Sequence, residues 1–194
     1  MSPATPVAQS DRAGNGDSGE DPLAVIFVCT GNICRSPMGE VVLRHLAADR
    51  ALSDGSALGD HLTVSSAGTG GWHAGEPMDP RTRAALERRG YGDHGHRARA
   101  FDTRWLAGAG LVVCMDRGHR QTLAGLGRAA AGDDRYDDRL VLMRSFGPRA
   151  GGDPDVPDPY YGDDADFDDC LDLIETGCRG LVDHLAERLD PAVR

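Results

Sequence analysis

The sequence contains no lysine, because all 21 of its basic residues are arginine. A chain without lysine cannot form the Schiff base of lysine-dependent enzymes. It also lacks the lysine with which a nucleotide-binding phosphate loop reaches its phosphates. Acidic residues outnumber basic ones by 31 to 21, so the formal net charge is −10. Proteins that bind duplex nucleic acid or anionic membranes are normally basic, so this balance disfavours both kinds of partner.

Long apolar stretches are also absent, since no run approaches the ~18 residues that a membrane-spanning helix needs. The first twenty residues have neither the basic start nor the apolar segment of an export signal. Their content of Ser, Gly, Asp, Ala and Pro predicts a disordered tail over residues 1–21.

The sequence has five cysteines, and an odd number without an export signal favours a reducing compartment. We therefore expect a cytoplasmic protein.

Short apolar runs rich in β-branched residues alternate with segments of helical periodicity along the rest of the chain. A length of 194 residues suits one domain, expected over residues 22–190. This alternation predicts an α/β fold with a four-stranded parallel sheet, whose ligands bind beyond the carboxyl ends of the strands. The predicted strands span residues 23–28, 62–65, 111–115 and 140–143. One predicted helix begins at residue 37, and three others span residues 79–89, 116–126 and 167–189.

The most informative segment is the loop at residues 29–36 (CTGNICRS), which follows the first strand. Pro37 comes next and suits the first turn of a helix. Gly31 and Asn32 tolerate a positive φ, so the loop can curl and point its N–H groups at a bound anion. The positive end of the following helix adds to the same site.

Three side chains of this loop indicate phosphate chemistry on a thiol. Arg35 can hold two oxygens of a tetrahedral anion at once. The donors that cradle the anion would also stabilise Cys29 as a thiolate. Ser36 could donate a hydrogen bond to the sulfur.

The segment CTGNICRSP resembles the signature loop of the low-molecular-weight protein tyrosine phosphatases, which also lies directly after the first strand. Their second mark, Asp-Pro-Tyr near the C terminus, is matched by DPYY at 158–161. The likeness extends from about residue 23 to 189, with RSF at 144–146 and DPYYG at 158–162 most similar to the actinobacterial branch. Further matching segments are SSAGT at 65–69, GWH at 71–73, DPR at 79–81, HRAR at 96–99 and CMD at 114–116.

This resemblance implies a three-layer αβα fold of the flavodoxin-like, doubly wound type, with the phosphatase domain at 22–190. It implies that Cys29 is the nucleophile, that Arg35 clamps the phosphate, and that Asp158 is the general acid and base. The substrates would be phosphotyrosine-containing proteins, with a phosphocysteine intermediate and inorganic phosphate as product. No metal or other cofactor would be needed. From the residues alone, Asp158 is a weaker candidate because Asp-Pro commonly starts a turn.

The resemblance assigns supporting roles as well. The phosphate-binding loop would comprise Thr30, Gly31, Asn32, Ile33, Cys34, Arg35 and Ser36. The side chains that hold this loop in shape would be Asn32, Ser36, Ser66 and His96. The walls of the substrate cleft would be Ile33, Trp72, Tyr160 and Tyr161.

Three other functions remain open at this point. Thiol-dependent arsenate reductases of the same fold need a further pair of redox cysteines, and Cys114 stands alone in its region. Phosphoarginine phosphatases carry threonine where this chain has Ile33, whose apolar side chain suits an aromatic ring. A non-catalytic phosphate-binding module would be expected to lose the nucleophile or the acid, and both are present.

Two further patterns allow alternative interpretations. Cys29 and Cys34 lie five residues apart on a curled loop, which predicts a reversible disulfide on oxidation; packing of Cys34 beneath the loop is the alternative. Residues 151–175 include ten acids and no basic residue, which suits either basic substrate sequences or a solvated face. Residues 163–169 lack the glycine and closing glutamate of a calcium loop, and the seven histidines show no metal-binding spacing.

Overall fold

The computed structural model describes residues 21–92, 95–148 and 152–193. Residues 1–20, which make up nearly all of the predicted tail, lie outside this part of the chain. Within it, the strands are β1 (Leu23–Cys29), β2 (Leu62–Gly68), β3 (Ala109–Cys114) and β4 (Leu140–Leu142). The α-helices are α1 (Arg35–Ala48), α2 (Pro80–Arg88), α3 (Arg117–Ala131) and α4 (Asp164–Leu189).

The four strands form one sheet in the order β2-β1-β3-β4, and every neighbouring pair is parallel. Alternate residues of β1 face opposite ways, as the two-residue period of a strand requires. Val25 and Phe27 pack with buried residues of α1, α2 and α4, whereas Ile26 and Val28 pack with α3. Helices therefore cover both faces, and the predicted αβα architecture with a four-stranded parallel sheet is confirmed.

The position of β1 places the loop that follows it at the switch point of the sheet. After β1 the chain crosses to β2 on one side, and β3 then pairs with β1 on the other side. The carboxyl end of a central strand at such a point is where open α/β sheets bind ligands. The loop at 29–36 begins at this end of β1.

Two element boundaries differ from the prediction at the site itself. Helix α1 begins at Arg35, two residues before Pro37, because the loop closes directly into helical backbone. Strand β2 continues to Gly68 instead of ending at Ser65, and Gly68 pairs with Cys29. The longer strand brings the chain after β2 alongside the loop.

Helix caps account for two other differences. Helix α3 runs past the predicted end at 126 until Gly132, whose φ of 80° places it in the left-handed conformation that ends many helices. Helix α4 begins three residues earlier than predicted, because the Asp163 side chain accepts hydrogen bonds from the N–H groups of Ala165 and Asp166. Asp166 in turn accepts from the Asp163 N–H, which completes a capping box.

Candidate active site

The thiol of Cys29 lies at the base of the loop at residues 29–36, which we call the phosphate loop. Its Sγ accepts a hydrogen bond from the Asn32 N–H at 3.3 Å and lies 3.0 Å from the Ser36 Oγ. Asn32 adopts a φ of 58°, whereas Gly31 keeps a negative φ, so only one of the two candidate positions curls the loop. A Cβ at Gly31 would lie 3.0 Å from the Cδ2 of His73, so a side chain there would require the His73 ring to shift.

Backbone N–H groups of the phosphate loop are available to an anion. In the described part of the chain, the N–H groups of Gly31, Ile33 and Cys34 donate no hydrogen bond to protein. The first N–H groups of α1, at Arg35 and Ser36, are likewise the groups that a helix leaves without an intrahelical partner. The residues that carry most of these donors line the same cleft as Cys29, and such donors favour negative charge there.

A buried network around Asn32 holds the phosphate loop in shape. The Asn32 Nδ2 donates to Ser36 Oγ and to Ser66 Oγ, both at 2.9 Å. Its Oδ1 accepts from the Arg99 N–H at 2.9 Å, and His96 Nε2 donates to its carbonyl oxygen at 2.8 Å. Because Ser36 Oγ accepts from Asn32, its own hydrogen can point at the Cys29 sulfur. Buried polar groups satisfied in this way make a site rigid.

Two residues beneath this network were not identified from the sequence. Glu40, on α1, accepts a hydrogen bond from the Ser66 hydroxyl at 2.5 Å and so anchors the end of the network. Gly68 lies directly under the loop, where a Cβ would stand 2.6 Å from the Thr30 carbonyl oxygen and 3.1 Å from the Asn32 nitrogen. Only glycine allows so close an approach of the two backbones.

Arg35 is held from several sides and is only 4% exposed. Its Nη1 donates to Asp116 Oδ2 at 2.9 Å and to the Val156 carbonyl at 3.1 Å. Its Nη2 donates to Thr30 Oγ1 at 3.3 Å and to Asp158 Oδ2 at 2.6 Å. The guanidinium therefore joins the phosphate loop to the loop at residues 156–162, which we call the acid loop.

Asp116 and His119 fix Arg35 from the side of α3. Asp116 is the N-cap residue of α3 and accepts a hydrogen bond from the His119 N–H at 2.8 Å. The His119 Nδ1 is 2.9 Å from Asp116 Oδ1, an ion-pair distance without the angle of a straight hydrogen bond. Burial opposes ionisation, yet His119 and Arg35 together hold the pKa of Asp116 well below its usual range. The His119 Nε2 lies 2.9 Å from Thr30 Oγ1.

Sequence reasoning missed the roles of Asp116 and His119, although one signal was available. Asp116 follows β3 closely, and the carboxyl ends of β1 and β3 lie at the same edge of the parallel sheet. A polar residue at that position is a candidate for the site of the neighbouring strand. His119 carries no such signal, because its contact with Thr30 spans 89 residues.

A cleft of about 360 Å³ opens above Cys29. The predicted wall residues all line it, but they differ in exposure. Ile33 is buried, Tyr160 is 38% exposed, and Trp72 and Tyr161 are 75% and 96% exposed. Ile33 is therefore a buried part of the wall, whereas the outer part of the cleft is formed by aromatic rings, of which Trp72 and Tyr161 stand largely in solvent. The lining residues are Cys29, Thr30, Gly31, Ile33, Cys34, Arg35, Trp72, His73, Asp158, Tyr160 and Tyr161.

A family model described as "Low molecular weight phosphotyrosine protein phosphatase" matches residues 24–190. The chain belongs to this family. It is 46% identical over 167 residues to the "Low molecular weight protein-tyrosine-phosphatase" of Streptomyces coelicolor, covering 86% of this chain and 95% of that one. Membership places the chain among the protein-tyrosine phosphatases, which are hydrolases, and the match to Streptomyces agrees with the predicted actinobacterial resemblance.

Solved structures of two Bacillus subtilis proteins show the same fold. The structure of YfkJ is 32% identical with a TM-score of 0.75, covering 89% of this chain and 99% of that one. The structure of the YwlE arginine phosphatase is 25% identical with a TM-score of 0.70, covering 89% of this chain and 100% of that one. The flavodoxin-like phosphatase fold inferred from the sequence is confirmed.

Most of the acidic residues at 151–175 form ion pairs with arginine, which is neither of the two interpretations that the sequence offered. These pairs connect the stretch to the phosphate loop, to α2 and to α3. They are Asp153 and Asp155 with Arg117, Asp158 with Arg35, Asp168 with Arg88, and Asp172 and Glu175 with Arg89.

Among the described residues, no three His, Cys, Asp or Glu side chains are grouped to hold a metal ion.

Cys34, the second thiol of the phosphate loop, is buried beneath it. Burial, together with the negative charges of Asp79 and Cys29, raises the pKa of Cys34 to about 12. All five cysteines of the phosphatase are buried, and none forms a disulfide.

No helix in the described part of the chain is long and apolar enough to cross a membrane.

Proposed function

We propose that this phosphatase hydrolyses phosphotyrosine in proteins through a phosphocysteine intermediate, with Cys29 as the nucleophile. The observation that carries the proposal is the environment of the Cys29 sulfur. The Asn32 N–H and the Ser36 hydroxyl lie against it, and Arg35 and the loop residues with unpaired N–H groups line the same cleft. A thiolate in this position is a nucleophile directly beneath a bound phosphate.

In the first step the Cys29 thiolate attacks phosphorus in line with the bond to the tyrosine oxygen. The loop N–H groups and Arg35 hold the equatorial oxygens, over which charge is spread in the transition state. Asp158 donates a proton to the departing phenolate, whose conjugate acid has a pKa near 10 in free tyrosine. Tyrosine leaves, and the phosphoryl group is bound to sulfur.

In the second step water attacks the phosphocysteine, and the ionised Asp158 accepts a proton from that water. The bond between phosphorus and sulfur breaks, and inorganic phosphate is released. The Ser36 hydroxyl, 3.0 Å from the sulfur, stabilises the thiolate that leaves. Asp158 is protonated again and ready for another cycle.

The contact between Arg35 and Asp158 supports a link between binding and the acid step. A phosphate in the loop needs the Arg35 Nη2 that now donates to Asp158 at 2.6 Å. Bound phosphate would therefore release the carboxyl group and also place negative charge beside it. A carboxyl group released in this way is free to reach the leaving oxygen.

The shape of the cleft supports an aromatic substrate. Buried Ile33 and the rings of Trp72 and Tyr160 leave room for a phenyl group whose phosphate reaches Cys29. A phosphoserine side chain is too short to reach across these walls.

The five reduced cysteines support a reducing compartment, and we propose the cytoplasm.

Phosphoarginine is the second candidate substrate, favoured by the structural similarity to the YwlE arginine phosphatase. Ile33 argues against it, because a guanidinium would meet an apolar side chain in place of a hydroxyl. Arsenate reduction has less support, because Cys114, Cys170 and Cys178 are buried in the core of the described fold.

Replacement of the nucleophile tests the proposal. Cys29→Ser should lose more than about 10³-fold of its activity on phosphotyrosine peptides, while inorganic phosphate still binds. Cys114→Ser is the matched control, because this thiol lies in the core on the α3 side of the sheet, and its activity should be unchanged. Turnover by Cys29→Ser near the wild-type rate, or wild-type preference for phosphoserine or phosphoarginine peptides, would contradict the proposal.

A further inference from the structure

Arg81, in the first turn of α2, contacts the acid loop through two backbone oxygens. Its Nη1 donates to the Gly162 carbonyl and its Nη2 donates to the Tyr160 carbonyl, both at 3.0 Å. We propose that Arg81 is a positioning residue for the acid step, because it holds the segment that carries Asp158. The inference depends on the proposed role of Asp158 as general acid.

The contacts of Arg81 reach Asp158 through a short, structured turn. The Gly162 N–H donates to the Pro159 carbonyl at 2.9 Å, which closes the turn after the acid. The Tyr160 N–H donates to Asp158 Oδ1 at 3.2 Å. A guanidinium that fixes the carbonyls of residues 160 and 162 therefore fixes the backbone to which the carboxyl group is hydrogen-bonded.

Arg81 is itself fixed to the phosphate loop through Asp79. The Arg81 Nε and Nη2 donate to the two Asp79 carboxylate oxygens at 3.1 and 2.9 Å. Asp79 is the N-cap residue of α2, and its N–H donates to the Ile33 carbonyl at 2.9 Å. A continuous set of hydrogen bonds thus runs from the phosphate loop through Asp79 and Arg81 to the acid loop.

The flat guanidinium of Arg81 also lies against aromatic rings. Its Cζ is 4.5 Å from the ring centroid of Phe167, a fully buried residue of α4, and 5.8 Å from that of Tyr160. Only arginine can stack on a ring, hold a carboxylate with two donors and reach two carbonyls at once. The position therefore requires the shape of this side chain as well as its charge.

The other anchors of the acid loop explain why Arg81 matters during catalysis. The loop begins with a Val156 N–H bond to the Met115 carbonyl at 2.8 Å and an Arg35 Nη1 bond to the Val156 carbonyl at 3.1 Å, and the Arg35 Nη2 holds Asp158 itself. A phosphate held by the Arg35 Nη2 would take the donor from which Asp158 now accepts, so the contact between Arg35 and Asp158 would be lost. The contacts described beyond Asp158 then consist mainly of those made by Arg81. A loop freed there would misplace the carboxyl group, and a displacement of about 1 Å can cost 10²-fold in rate.

Arg81→Met tests the inference, because methionine keeps the apolar stem and removes the donors. The measurement is kcat/KM for a series of aryl phosphates, since this constant includes the step in which the leaving group departs. For phenols with a pKa near 10 we expect a loss of roughly 10- to 100-fold, and for strongly acidic phenols less than about 3-fold. Arg88→Met is the matched control, because it breaks a different pair between α2 and α4, with Asp168, and should stay within about 2-fold.

A double variant separates positioning from general stability. In an Asp158→Asn background, Arg81→Met should cause no further leaving-group-dependent loss. An equal loss for all leaving groups, or the same loss with and without Asp158, would overturn the inference and leave the role of Asp158 intact. If Asp158→Asn itself showed no leaving-group dependence, the proposed acid would be wrong, and the inference with it.

Arg81→Lys covers the case in which the methionine variant does not fold. Lysine keeps the charge but lacks the planar pair of donors, so it cannot serve Asp79 and both carbonyls together. We expect a smaller loss with the same dependence on the leaving group. A lysine variant with wild-type kcat/KM for every phenol would overturn the inference.

Discussion

In the phosphate loop, six of the eight residues at 29–36 are buried, whereas in the acid loop only two of the seven residues at 156–162 are. The first loop is tied together by a side chain of its own, because the Asn32 amide is bonded to Ser36, and groups of β2 and of residues 96–99 complete its network. The second is held by side chains from other elements, namely Arg35 and Arg81. One half of the site is thus buried and tied together partly from within, whereas the other half is largely exposed and depends mainly on two arginines outside it.

This difference suits the chemistry proposed for each half. The phosphate loop must present the same donors to substrate, transition state and product phosphate, and preorganised donors need no rearrangement during the reaction. The acid loop must exchange its contact with Arg35 for one with the leaving oxygen. A segment that carries out such an exchange needs firm attachment points around a mobile carboxyl group.

The largest expected effect of a change in the acid loop comes from Asp158→Asn. We expect kcat/KM for phosphotyrosine to fall by ~10²–10⁴, the usual contribution of general acid catalysis. Aryl phosphates with acidic phenols should lose much less, because these phenols depart without a proton. A series of substituted aryl phosphates provides the measurement.

Asp164→Asn is the control for this prediction. Asp164 is an exposed acid in the first turn of α4, and its replacement should leave kcat/KM within about 2-fold of wild type. An equal loss for all phenols in Asp158→Asn would mean that the comparison between the two loops does not reflect an acid step.

Substitutions in the two loops should differ in their effect on the free energy of unfolding, and this difference is smaller than the effect of Asp158→Asn on catalysis. Asn32→Ala removes three side-chain hydrogen bonds, leaves the part-buried Arg99 N–H without its partner and places alanine at a φ of 58°. We expect the free energy of unfolding to fall by about 2–4 kcal/mol. Tyr161→Ala, in the exposed part of the acid loop, should change it by less than about 0.5 kcal/mol.

Urea unfolding of the two variants provides this comparison. Equal destabilisation by Asn32→Ala and Tyr161→Ala would show that the phosphate loop is not the more rigid half. Activity adds an independent readout, since Asn32→Ala should also weaken the binding of inorganic phosphate and Tyr161→Ala should not.

The smallest expected effect concerns recovery from oxidation. Peroxide should oxidise Cys29 to a sulfenic acid, and attack by the Cys34 thiolate would then form a disulfide and release water. Because the pKa of Cys34 is raised to about 12, its thiolate fraction and the rate of bridge formation should rise about tenfold per pH unit between pH 7 and 9. A thiol reductant should restore the activity of wild type more fully than that of Cys34→Ser.

Mass spectrometry of the peroxide-treated enzyme provides the check, with bound phosphate expected to protect Cys29. Full recovery of Cys34→Ser, together with the absence of a Cys29–Cys34 bridge in wild type, would assign Cys34 a packing role. Cys178→Ser is the control, since this thiol is buried on α4 and should not alter recovery.

Several features of the site could be read from the sequence because they are local. The apolar run before Cys29 predicts a buried strand, and the residues after it predict a curled loop that leads into a helix. Asn32 was one of two candidates for the positive φ, and the structure assigns it to Asn32. The requirement for glycine at position 68 follows only from the close approach of two backbones under the loop. Helix ends were predicted less well, because caps such as Asp163 compete with periodicity in an acidic run.

The sequence by itself determined the order of strands and helices, the architecture that this order favours, and the loop in which eight consecutive residues hold both nucleophile and clamp. Only the tertiary structure decided which distant residues complete the site. The pair between Arg35 and Asp158 spans 123 residues, that between Arg35 and Asp116 spans 81, and Arg81 reaches Gly162 across another 81. Local periodicity and turn preferences act over a few residues, so contacts of this length become defined only when the parallel sheet brings the ends of its strands together.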